Sequence, residues 1–237
     1  GRTRAIGIDI HNENRILAGS VSGGMYLSSD KGKSWRPTQQ PADLKGATCL
    51  VQDPRKNHGQ NWIMGSGEAY GQSASGSGAY YFGDGLFSSS DSGKSWQPIA
   101  STSAGNPLSF TTGWQLVWNL AVDPSAADTA NEVYAAIYNQ IQRSSNGGKT
   151  WVSQLAGGYF TDVAVTSKGI VYATSSSDGA KKGIFRANND GKLVNINPSF
   201  LGTTYKRIVI GVDPNNENVV YFLLNTDGFG RKSANYK

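Results

Sequence analysis

The chain has 237 residues, 38% of them hydrophobic, with 22 Lys and Arg against 17 Asp and Glu and one cysteine, Cys49. That length can bury a large core, which excludes a small disulfide-stapled scaffold or a disordered polar chain. The net charge of +5 is scattered along the chain, a solvated surface and not a nucleic-acid groove, and no apolar run is long enough to cross a bilayer.

The first element is an alternating strand pattern, Ala5–Asp9, and Gly1-Arg2-Thr3-Arg4 runs straight into it and is not expected to be a signal peptide. A second strand centres on Ile16–Ala18, and Met25 opens a third that runs into S-S-D-K-G-K-S-W at Ser28–Trp35. The same succession returns. Ala47–Asp53, Trp62–Met64 and Leu86 lead to S-S-D-S-G-K-S-W at Ser89–Trp96. Asn119–Asp123, Val133–Tyr138 and Ile141 lead to S-S-N-G-G-K-T-W at Ser144–Trp151. Asp162–Thr166, Val171–Thr174 and Ile184 lead to a worn copy at 187–194. Ile208–Asp213 and Val219–Leu224 begin a further unit. Cys49 falls inside a strand and reads as a small buried hydrophobe.

Recurrence at this spacing marks an array of one supersecondary unit, four antiparallel strands long. No stretch carries sustained helical periodicity. The fold class is therefore all-β, a β-propeller of four-stranded blades at about 1–40, 41–100, 114–157 and 158–198, with an incomplete blade at 206–237. Four and a half blades would leave open edges, so the chain reads as one partial propeller segment.

Each box is a tight turn between strands three and four. Asp30, Asp91 and Asn146 accept hydrogen bonds from backbone N–H groups just ahead, and Gly32, Gly93 and Gly148 take the positive φ the turn needs. Trp35, Trp96 and Trp151 are expected to be largely buried anchors of the fourth strand, with the box serines and lysines mattering much less.

The boxes resemble the Asp-box, or bacterial neuraminidase, repeat S-x-D-x-G-x-[ST]-W of sialidases, xyloglucanases and sortilin-type sorting receptors. Gly1–Ile6, Gly19–Met25 and Gly83–Phe87 look most like large Bacteroidetes propellers, many of which leave the cell by the type IX secretion route. The resemblance implies a secreted or cell-surface location, and partners among glycans, proteins, or secretion and surface-assembly components.

In a four-stranded meander the first and third turns share one rim. The second turns and the blade-to-blade links share the other, away from the boxes. Blade 2 has 38 positions from Asp53 to Asp91, against 21 from Asp9 to Asp30 and 23 from Asp123 to Asn146. The excess is the second turn, Glu68–Asp84, and the next link, Ser101–Val117, is also long. Long loops on a rigid scaffold are where binding groups gather. Glu68, Tyr70, Tyr80, Tyr81, Phe82, Asp84 and Trp114 are thus candidates for binding sugar or peptide, with the alternative that they only cover the seam between blades 2 and 3. Arg4 and Arg207 fall near the starts of channel-lining strands, where they could clamp a carboxylate or sulfate.

Enzyme signals are weak. Thr3-Arg4-Ala5-Ile6 is a poor match to the sialidase [FY]-R-I-P motif, and Glu68 and Asp84 are candidate acids only if the chain is a glycoside hydrolase. There is no nucleophile elbow, dinucleotide fingerprint or calcium loop, and His11 and His58 are lone, so neither a metal nor a cofactor is expected. The expected role is non-catalytic recognition of glycan or protein through the insertion rim. The alternatives are a hydrolase and a purely structural part of a type IX cargo.

Overall fold

A computed structural model describes residues 2–39, 46–68, 81–105, 108–187 and 190–226. Four sheets of four antiparallel strands follow one another along the chain. The first holds β1 (Thr3–Asp9), β2 (Asn12–Ser20), β3 (Gly24–Ser28) and β4 (Arg36–Pro37), and the second holds β5 (Ala47–Gln52), β6 (Trp62–Ser66), β7 (Leu86–Ser89) and β8 (Gln97–Pro98). The third holds β9 (Val117–Val122), β10 (Val133–Ile137), β11 (Gln140–Ser144) and β12 (Val152–Ala156). The fourth holds β13 (Thr161–Val165), β14 (Val171–Ser175), β15 (Gly183–Ala187) and β16 (Leu193–Asn195). A two-stranded sheet, β17 (Ile208–Val212) and β18 (Val220–Leu224), comes last.

The first strands β1, β5, β9, β13 and β17 stand side by side and line a central channel. This is a β-propeller, and it places strands one and two of each blade where the alternating and fully apolar segments predict them. Inner strands such as β10 are buried throughout, whereas β4 and β8 are exposed two-residue strands ending in Pro37 and Pro98. A short outer strand that carries proline offers little to a foreign sheet edge.

Blades seal to one another through apolar faces and threonine hydroxyls. Leu17, Met25 and Leu27 of the first blade pack against Trp62, Met64 and Phe87 of the second. Thr48 Oγ1 donates to Val117 O (2.9 Å), Thr161 Oγ1 to Ile137 O (2.7 Å) and Thr174 Oγ1 to Ile208 O (2.7 Å). On the box rim, the buried Arg55 grips Asp53 with two nitrogens and donates to Ala127 O, Ala130 O and Asn131 Oδ1 of the next blade. Sequence analysis did not single out this bolt.

The box turns are built as expected, with one participant underrated. Ser34 N and Ser34 Oγ donate to Asp30, and Ser95 does the same to Asp91. Gly32 and Gly93 have φ of 84° and 79°. The serine that opens each box is nevertheless buried, and it organises the turn: Ser89 Oγ donates to Asp91 Oδ1 (2.7 Å) and accepts from Gly93 N (2.9 Å). Ser28 and Ser144 repeat this pattern. The residue after the Asp also sits at positive φ, as at Lys31, Ser92 and Gly147, and its N–H reaches the first turn at Asn14 O, Gln60 O and Asn131 O. The boxes and first turns therefore share one rim.

The tryptophans correct the burial expectation. Trp96 and Trp151 are half-buried, and Trp35 is 43% exposed. The reason is that Trp96 and Trp151 lean on the preceding blade and Trp35 does not. Trp96 Nε1 donates to Thr38 Oγ1 (3.0 Å), and Trp151 Nε1 donates to Ser101 Oγ (3.2 Å). Trp35 Nε1 reaches only Gly32 O of its own turn (3.0 Å). The rest of that face agrees. Strand register aligns Ile6, Ala18 and Tyr26 of the first blade with Leu50, Met64 and Phe87 of the second. Met64 and Phe87 are packed against the first blade, while Ile6 and Tyr26 are exposed.

Candidate functional site

The rim opposite the boxes collects the second turns and the blade-to-blade links. Here the chain bends sharply at Gly67, whose φ is 94° and where an added Cβ would lie 1.7 Å from Gln115 O. Only glycine fits so close a crossing. The crossing delivers Glu68 into the mouth of the channel, where its backbone pairs with Tyr81 in both directions (2.7 and 2.8 Å).

Arg4, Arg207 and Glu68 converge on one channel cavity of about 300 Å³, together with Asp162, Asn119, Trp118 and Thr48. Arg4 Nε meets Glu68 Oε2 at 2.6 Å. Asp162 is fully buried and holds three donors: Asn119 Nδ2 (2.7 Å), its neighbour Val163 N (3.0 Å) and Ile210 N (3.1 Å). Burial pushes its carboxyl above the usual range, opposed by the nearby charge of Arg207. Arg207 itself donates one long hydrogen bond, to Trp118 O (3.4 Å), and its Nε has no hydrogen-bond partner.

The remaining candidates lie elsewhere. Asp84 accepts from Ser103 Oγ (2.8 Å), Ala104 N (2.7 Å) and Gly105 N (3.0 Å), so it ties the second turn to the link and does not line the cavity. Trp114 packs against Trp151 at 4.8 Å, the rings tilted by 59°, within the seam between the second and third blades. Tyr81 is exposed beside Glu68. Tyr70 and Tyr80 lie outside the described residues. Among the described residues no cluster of His, Cys, Asp and Glu could hold a metal. Cys49 also lines the cavity, and burial pushes its thiol up to about 12.

Sequence reasoning did not place Asp162, Asn119 and Trp118 at the site, and of an aromatic row it named only Phe82 as a candidate. Phe82 meets Phe110 (5.6 Å between centroids), Phe110 meets Tyr138 (5.0 Å) and Tyr138 meets Tyr159 (4.9 Å). Tyr159 then meets the buried ring of Trp118 (5.7 Å), a residue that also lines the channel cavity. Phe110 is exposed, and Phe82, Tyr138 and Tyr159 are half-buried. A signal was present, since all four belong to second turns or links and therefore to the insertion rim.

No protein-family model and no curated protein matches the sequence. Among solved structures the chain is similar to an ancestral GH74 enzyme, at 21% identity and TM-score 0.67 over 96% of this chain and 29% of that one. It is similar to the GH74 xyloglucanase of Xanthomonas campestris, at 17% identity and TM-score 0.61 over 96% of this chain and 36% of that one. It also resembles the extracellular domain of a proposed one-component system of B. thetaiotaomicron, at 14% identity and TM-score 0.56 over 95% of this chain and 26% of that one. The chain thus spans 26–36% of the length of these structures, and at such identities what it shares with them is the β-propeller fold.

Proposed function

We propose that this propeller is a non-catalytic recognition module of a secreted or cell-surface bacterial protein, and that it binds glycan along the insertion rim. The observation that carries this is the row Phe82, Phe110, Tyr138 and Tyr159, which ends at the Trp118 wall of the channel cavity. Aromatic faces stack on the apolar faces of sugar rings and bury area with little loss of side-chain freedom. The Asp-box likeness of the boxes and the Bacteroidetes-like segments support export, with the type IX route as the candidate path. A glycan array run with the parent and with a Phe110→Ala/Tyr138→Ala pair tests the proposal. Binding that persists unchanged in the double variant, or no binding by the folded parent, would refute it.

A hydrolase is the second reading, favoured by one observation: two acids, Glu68 and Asp162, line the same cavity in a fold shared with GH74 enzymes. Asp162 holds three donors and Glu68 is paired with Arg4, which favours binding over proton transfer. Turnover of xyloglucan or a sialoside that disappears in a folded Glu68→Gln variant would reverse the choice.

A further inference from the structure

The channel cavity contains two arginines in unlike states. Arg4 is matched by Glu68 at 2.6 Å. Arg207 makes no ion pair within 4.0 Å among the described residues, and its single hydrogen bond is 3.4 Å long. A guanidinium with most of its donors uncommitted is an unusual feature for a residue packed among strands, because buried donors without partners are destabilising. Asp162 lines the same cavity and its charge interacts with that of Arg207, but the two form no ion pair within 4.0 Å, and the Asp162 oxygens receive Asn119, Val163 and Ile210 instead. The planar fork of an arginine matches a carboxylate with two parallel hydrogen bonds. A cavity of about 300 Å³ is at the small end of ligand pockets, the scale of one sugar unit. The aromatic row arrives at this cavity, since Trp118 is both the last ring of the row and the residue whose carbonyl holds Arg207.

We propose that the ligand of this rim is an acidic oligosaccharide, its uncharged ring faces lying on Phe110, Tyr138 and Tyr159 and the carboxylate of one uronic acid unit entering the channel onto Arg207. This deepens the glycan reading and rests on it. The two elements act differently. The aromatic row binds any sugar of suitable shape, and Arg207 selects the charged one.

The test is calorimetric titration of the parent protein with short oligogalacturonides, with the same oligomers after methyl esterification, and with neutral cello-oligosaccharides. Esterification keeps the ring faces and removes the charge, so the comparison needs no variant. The acid form should bind about tenfold more tightly or better, the usual worth of a charge-assisted pair. In Arg207→Gln, checked by thermal melting, that preference should collapse, the acid form falling to the affinity of the ester. Equal binding of acid and ester, or binding of neutral cello-oligosaccharides alone, overturns the acidic-ligand inference and leaves the glycan reading standing. No binding of any oligosaccharide by the folded parent overturns both.

Discussion

Replacing Trp96 and Trp35 separately with alanine should give unequal losses, although the two occupy the same position in boxes that differ only at Lys31 and Ser92. Truncating a fully buried Trp costs about 3–5 kcal/mol. Trp96 is half-buried against the core cluster that includes Leu17, Met25, Leu27 and Phe87, so about 2 kcal/mol of that range applies. Loss of its bond to Thr38 Oγ1 adds about 1 kcal/mol. Trp35, 43% exposed and bonded only within its own turn, should lose about 1 kcal/mol. In a chain of 237 residues each kcal/mol lowers Tm by about 2–4 °C. The expected drops are therefore about 6–12 °C for Trp96→Ala and about 2–4 °C for Trp35→Ala. Urea unfolding followed by far-UV circular dichroism measures both directly. Equal losses would show that packing on the preceding blade is not what the ring supplies, and that the turn alone sets its value.

Two further outcomes follow from the box turns. Ser89→Ala removes the acceptor of Gly93 N inside a buried turn and should cost about 1–3 kcal/mol, whereas Lys94→Ala should stay within about 0.5 kcal/mol; similar melting temperatures for the two would refute the organising role of the serine. Hydrogen bonds from Ser34 and Ser28 hold the Asp30 carboxyl down to about 2, and at Asp91 bonds from Ser95 and Ser89 outweigh burial to the same result. Both folded values lie below the ordinary 3.8, so this stabilisation is complete above that pH and is lost as pH falls through about 2. An Asp30→Asn/Asp91→Asn variant should keep its neutral Tm, because Asn146 already builds the same turn, and should show a shallower loss between pH 4 and 2; an unchanged acid slope would refute the assignment.

The sequence by itself determined the blades. Strand alternation has a period of two, and a tight turn needs its Asp, Ser and Gly within a few residues, so both are local and recur visibly from copy to copy. The resulting meander also assigns the long Glu68–Asp84 turn and the next link to one rim, and Gly83 N bonded to Gln115 O joins them there. Tertiary structure alone decided which residues share the channel. Arg4, Thr48, Trp118 and Asp162 come from four different first strands, Arg207 directly precedes the fifth, and they meet only when the blades stand around a common axis. No spacing rule links positions so far apart in the chain. The same limit explains the tryptophans and the carboxylates. Trp35 and Trp96 have nearly identical local sequence but unlike neighbouring blades, and Asp84 was drawn into a turn by Ser103 and Ala104 while Glu68 was carried past Gly67 into the channel. Burial and partnership depend on what the rest of the chain brings alongside, and a residue's own neighbours in sequence do not carry that information.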